Sequence, residues 1–191
     1  MIIEAPDNSN ISVDQKKSHP KIIINHGSGG VMKIFLSIFL ICWLGGWAVG
    51  WITTAKEILN GKSGADFFLI FWICGWTVGG LFAFWFLYRL LRPSISETLS
   101  LETQQIQFDS GIKPFKMSFG FLGMGDYWKQ MFPKRKLFTI PSSILNTLQL
   151  REHANGNRLT VDFGTERLEL ATSATEIERE WLYRILKDKY S

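Results

Sequence analysis

Three histidines, two cysteines and two glycine-rich runs carry what catalytic or metal-binding chemistry this 191-residue chain could offer. His19, His26 and His153 fit no zinc-ligand spacing, either among themselves or with Cys42 and Cys74. "GSGG" at 27–30 lacks the lysine that follows in a phosphate-binding loop. "GFLGMG" at 120–125 lacks a strand and a helix around it in the order that a dinucleotide site requires. No catalytic residue, cofactor or metal is expected, and the chain reads as non-enzymatic.

A different chemistry is written between Met117 and Lys136, "MSFGFLGMGDYWKQMFPKRK". Phe119, Phe121, Tyr127, Trp128 and Phe132 precede the cations Lys134, Arg135 and Lys136. Rings in the headgroup zone with cations on the phosphates would place this stretch at a membrane surface. A protein partner, or a long strand connection packed on its own domain, are the other readings.

Two apolar runs supply the membrane. Hydrophobic residues make up 46% of the chain, but that average conceals their concentration between Val31 and Leu91. No charge occurs from Ile34 to Ile52 or from Phe67 to Tyr88. Each run matches the roughly 20 helical residues needed to cross a hydrocarbon core of about 30 Å. Two transmembrane helices are predicted, over about 33–53 and 67–89, forming a hairpin within 31–92. Lys16, Lys17, Lys21 and Lys33 precede the first span and Arg89 and Arg92 follow the second. The connection "TAKEILNGKSGAD" offsets Lys56 and Lys62 with Glu57 and Asp66. This bias puts both termini in the cytoplasm. The formal charge of +4 follows largely from that orientation, and no nucleic-acid partner is implied. Cys42 and Cys74 fall at depths about 7 Å apart in an antiparallel pair, so they read as small packing residues rather than a disulfide.

The spans repeat one motif, "WLGGWAVGW" and "WICGWTVGG", 29 residues apart. Trp43 aligns with Trp72, Gly46 with Gly75, Trp47 with Trp76 and Gly50 with Gly79. Each helix thus carries a GxxxG pair, and all eight residues are predicted to pack the helices together. The deep tryptophans also require partners for their indole N–H groups. A second copy or another membrane protein docking on the Gly and Trp faces is the alternative. With no ionisable residue inside either span, a conducting pore is the weakest reading.

Beyond Pro93 the pattern changes to alternation. "ETLSLE" and "QIQFD" read as strands with Leu99, Leu101, Ile106 and Phe108 inward and a tight connection at Thr103 and Gln104. "KLFTIP" reads as another. "TLQLREH" and "RLTVDF" form a hairpin, with Asn155 and Gly156 at its turn. "RLELA" follows, with Leu168 and Leu170 inward. The ending "SATEIEREWLYRILKDKY" reads as an amphipathic helix. Ser173 and Glu176 would form its capping box, Ile177, Trp181 and Ile185 would plug the domain core, and Glu180 would pair with Arg184. Before the hairpin, residues 1–30 are polar and expected to be largely flexible, with "KIIIN" adding an edge strand.

The fold class is therefore a membrane α-helical hairpin plus an α+β domain over 93–191, a small curled sheet, sandwich or barrel closed by a C-terminal helix. The hairpin, the strand series and the ending "ATEIEREWLYRIL" resemble bacterial membrane-anchored PH-like proteins, over about residues 31–190. The resemblance supports the class of a non-enzymatic binding or scaffold module at the inner membrane, and recognition of a membrane or cytoplasmic protein is the expected role. A homo-oligomeric effector or pore, or an assembly factor for a larger complex, are its alternatives. One departure stands out: many lipid-binding PH domains place cations in the first strand connection, where this chain has "ETQQ". An inositol phosphate site is not expected there.

Overall fold

The computed structural model describes every residue except 1–3, 16–18, 28–29, 62–65, 116–123, 155 and 191. The chain divides into two compact units: residues 1–27, 94–114 and 132–191 make one, and 28–93 with 115–131 make the other.

The first unit is built on two antiparallel sheets. One has five strands in the order β1 (Ile11–Asp14), β2 (Lys21–Ile24), β3 (Glu97–Leu101), β4 (Gln105–Asp109) and β5 (Leu137–Pro141). The other has three, β6 (Gln149–Arg151), β7 (Arg158–Phe163) and β8 (Glu166–Leu170), and among the described residues neither sheet is closed. Alternation explains the strands. Leu99, Leu101, Ile106 and Phe108 are all buried, as are Leu159, Val161 and Leu170 from the second sheet. These side chains share one core, so a one-residue slip in either sheet would turn its apolar face to water.

The N-terminal segment departs from expectation. Ile11–Asp14 is a strand, and "KIII" lies inside the sheet between β1 and β3 rather than at its edge. Burial explains why, since Ile22 and Ile24 are completely enclosed and Ile11 nearly so. The second hairpin also differs. Register pairs Arg151 with Arg158, leaving six residues between the strands, with a turn in which Gly156 N–H donates to His153 O at 2.9 Å. Gly156 has φ +95°, whereas Asn155 lies outside the described residues.

Two helices complete this unit, the single-turn α4 (Ser142–Leu145) and α5 (Glu176–Tyr190). Leu182, Ile185 and Leu186 of α5 enter the core, with Trp181 packed beside them. Ile177 does not join them, being 73% exposed. The inward position of the first turn belongs to Glu178, which sets the buried face through Leu182, Ile185 and Leu186. The capping box is likewise two residues later than expected. Thr175 N–H donates to Glu178 Oε2 at 2.6 Å and Glu178 N–H returns to Thr175 Oγ1 at 3.4 Å. Glu180 and Arg184 pair at 4.0 Å on the exposed side. At the far end, Tyr190 donates to the Glu102 carbonyl and Lys189 to the Leu101 carbonyl. Burial and the Glu102 charge push the Tyr190 phenol up to about 12.

Glu97 is a fully buried carboxylate that receives the amides of Thr172 and Ser173 at 3.2 and 3.1 Å. It holds the turn after β8, where Ala171 adopts φ +54°. Burial pushes its carboxyl above the ordinary range, against the opposing pull of those amides and of Lys113. The folded state therefore holds this proton at pH values where the unfolded chain has lost it. Stability from Glu97 is greatest in acid and declines as pH rises from the unfolded value through the folded one. In Glu97→Gln the decline is expected to flatten, read from the denaturation midpoint of a fluorine label on Trp181 across pH 4 to 8.

The second unit is mostly helical. α1 (Val31–Leu59) and α2 (Asp66–Leu91) are long and apolar enough to cross a membrane. Among the described residues most of the large exposed apolar side chains lie on them, unlike core helices of a soluble domain, whose apolar faces are covered. α3 (Met124–Met131), a helix at the end of the "GFLGMG" run where the sequence predicts none, completes this unit.

Candidate functional site

The repeated motif meets itself where α1 and α2 cross. Trp47 donates its indole N–H to the Trp76 carbonyl at 2.9 Å, and Trp76 donates to the Trp47 carbonyl at 3.4 Å. These are equivalent positions of the two copies, so the antiparallel repeat produces a reciprocal pair. A helical carbonyl has a second lone pair for such a donor, and an indole N–H enclosed without a partner would be costly. Symmetry fails one turn away. The counterpart of Gly80 in the first copy is Trp51, whose indole donates to Thr77 Oγ1 at 2.8 Å. Thr77 in turn donates to the Ile73 carbonyl at 2.6 Å.

The close approach is made by a glycine that motif matching passes over. A Cβ built at Gly80 would overlap the Trp47 ring and lie 2.8 Å from its Nε1. Gly50 is in ordinary contact with Trp76, at 3.8 Å. Gly46, Gly75 and Gly79 have open space where a Cβ would stand, so of the two GxxxG pairs only Gly50 meets the other helix. Rings took the place of the glycine pairs: once Trp47 and Trp76 fill the crossing, only the glycine beneath a ring must lack a side chain. Gly75 and Gly79 instead line an open apolar groove of about 320 Å³ with Trp43, Trp47, Trp72 and Trp76. Within it Trp72 and Trp76 lie with ring centroids 5.1 Å apart.

The aromatic and basic stretch divides between the two units. Phe119 and Phe121 lie outside the described residues. Tyr127 and Trp128 are exposed on α3, whose last residue, Met131, is buried with Leu90 and Phe115. In the other unit Phe132 is half exposed, and the three cations have separate surroundings. Arg135 grips Asp109 through Nε and Nη2, at 2.9 and 2.5 Å. That hydrogen-bonded charge holds the Asp109 carboxyl below the usual range. Lys136 contributes its backbone N–H to Ser110 Oγ at 2.9 Å, and both Lys134 and Lys136 are exposed. Arg135 is thus tied to the sheet domain through Asp109.

A feature not foreseen from sequence lies on the outward face of the five-stranded sheet. A cavity of about 540 Å³ is lined by polar residues including Lys21, Ser100, Gln107 and Thr139. Register places these four in one row across β2, β3, β4 and β5. The only sequence signal for it is the polar half of each alternation. Gln107 Nε2 donates to Glu102 Oε1 at 2.6 Å, steadying the middle of the row. Its hydroxyls and amides can hydrogen-bond a polar ligand or peptide. Among the described residues, no group of three or more His, Cys, Asp or Glu side chains could hold a metal ion. No known protein family, curated protein or solved structure matches the chain.

Proposed function

We propose that this chain is a membrane-anchored, non-enzymatic binding or scaffold module presenting a PH-like domain to protein partners at the cytoplasmic face of a bacterial inner membrane. The observation that carries the reading is the pairing of β2 with β3, in which Ile24 stands opposite Glu97. The whole helical hairpin lies between those residues in sequence. If α1 and α2 span a bilayer, the paired strands must still share one side of it, so the hairpin enters and returns. A domain joined to the membrane at two neighbouring strands is held there without a long linker, which suits presentation of a surface. Two antiparallel sheets sharing one core with a C-terminal helix support the PH-like reading. The cations Lys21, Lys33, Arg89 and Arg92 favour the cytoplasmic side. The polar sheet-face cavity is the surface offered to a protein.

A second reading, self-association in the membrane, is favoured by the open groove beside Gly75 and Gly79. Mild-detergent extraction of the full chain at native expression level, with particle mass and identification of what accompanies it, separates the two. A monomer or dimer carrying specific membrane subunits is the expected result. A pure assembly of several copies that leaks ions through reconstituted bilayers would replace the scaffold reading by an oligomeric effector.

A further inference from the structure

We infer that α3 is an interfacial helix, lying in the headgroup zone of the bilayer with Tyr127 and Trp128 against lipid. This rests on the proposed spanning of α1 and α2 and extends it to a segment that crosses nothing. Its first support is where α3 is fastened. Met131 and Phe115 are buried with Leu90, and Leu36, Leu40 and Phe86 pack against that cluster. Phe86 and Phe115 meet edge to face at 5.1 Å. Arg89 Nε donates to the backbone carbonyl of Gln130 at 2.8 Å, pinning the last turn of α3 to the end of α2.

Depth along the spans is the second support. The uncharged run of α1 begins just after Lys33 and that of α2 ends just before Arg89. Leu36 and Leu40 therefore stand roughly 4 and 10 Å inside the charge boundary, and Phe86 roughly 4 Å inside, at about 1.5 Å per helical residue. An interfacial helix buries its apolar face about 5–10 Å into the same layer. The cluster that includes Met131 therefore lies just inside the charge boundary, and Arg89 holds Gln130 at the boundary itself, which places the last turn of α3 at the level of the headgroups.

The face of α3 agrees. Tyr127 and Trp128 precede Met131 by four and three residues, so all three share one side of the helix. Met131 is buried, while Tyr127 is 37% and Trp128 52% exposed. The anchored side thus continues outward as two amphipathic rings, the residue types enriched at membrane interfaces. Lys129 lies off that side and is exposed. The occupant of the ring face is the bilayer itself, because the cluster that fastens α3 is packed by Leu36, Leu40 and Phe86 of the two apolar helices.

The test is spin-label accessibility in lipid nanodiscs of the full chain, on a Cys42→Ser, Cys74→Ser background. Single labels are placed by Tyr127→Cys, Trp128→Cys, Val49→Cys and Asp188→Cys, in preparations that remain monodisperse. Labels at 127 and 128 are expected to collide more with dissolved oxygen than with a water-soluble nickel chelate, reporting a shallow depth, and the label at 49 a greater one. The label at 188 should report water. If 127 and 128 match 188 while 49 remains deep, the interfacial helix is wrong and the spanning helices stand. If 49 also reports water, the spanning reading fails and this inference with it.

Discussion

Gly80→Leu is expected to open the helical hairpin, while Gly46→Leu and Gly75→Leu leave it intact. The side chain added at Gly80 has nowhere to go: its first carbon already overlaps the Trp47 ring. That ring cannot swing aside freely, since its Nε1 is committed to the Trp76 carbonyl at 2.9 Å and it forms a T-shaped pair with Phe84, ring centroids 6.2 Å apart. Overpacking of this kind costs about 1–3 kcal/mol, and the interhelical hydrogen bond adds about 0.6–2 kcal/mol when lost. A destabilisation of about 3 kcal/mol follows for leucine, and somewhat less for alanine. At Gly46 and Gly75 a Cβ meets open space, and the expected change within one hairpin is under about 1 kcal/mol. Tryptophan fluorescence during detergent-induced unfolding in bicelles reads the difference. Equal effects at positions 46, 75 and 80 would remove Trp47 on Gly80 as the determinant of the crossing. Should Gly46→Leu and Gly75→Leu alter particle mass while leaving the hairpin intact, those glycines serve contacts between copies.

The contrast between Gly80 and Gly46 shows where sequence reasoning stops. Motif matching selects residues that recur, and Gly80 does not recur because its counterpart is Trp51. What determines a close approach is which ring lies over which backbone, and that depends on helix rotation. Strands with one buried face are easier to read. Leu99 and Leu101, and Ile106 and Phe108, occupy the positions their alternation assigns because only one register encloses both pairs. β1 is different, as Ile11 and Val13 are two apolar residues in a polar stretch and acquire meaning only when β2 lies beside them. The capping box shows the same limit. Ser173 with Glu176 and Thr175 with Glu178 both satisfy the spacing, and the second is used because Glu178 has another group to hold.

That other group makes Glu178→Ala the largest expected loss in the sheet domain. The Glu178 carboxylate is buried, accepting the Asn10 N–H through Oε1 and the Thr175 N–H through Oε2, both at 2.6 Å. Hydrogen bonds to charged groups contribute about 1.5–3 kcal/mol each, and a buried amide left without an acceptor costs about 1–3 kcal/mol. Alanine is therefore expected to destabilise the domain by about 3–5 kcal/mol. Glu178→Gln keeps one carbonyl acceptor and should lose roughly half as much. The effect should also have a location. Asn10 adjoins β1, and its carbonyl accepts the Asn25 N–H at 2.9 Å beyond the end of β2, so Glu178 joins the N-terminal strand pair to α5. Amide exchange of Ile11–Asp14 should accelerate well before that of β3 and β4, whose pairing does not involve Glu178. Uniform acceleration across the whole sheet would mean that the carboxylate only caps α5. Unchanged protection of β1 in a folded Glu178→Ala protein would show that Ile11, Ile22 and Ile24 hold the strand by burial alone.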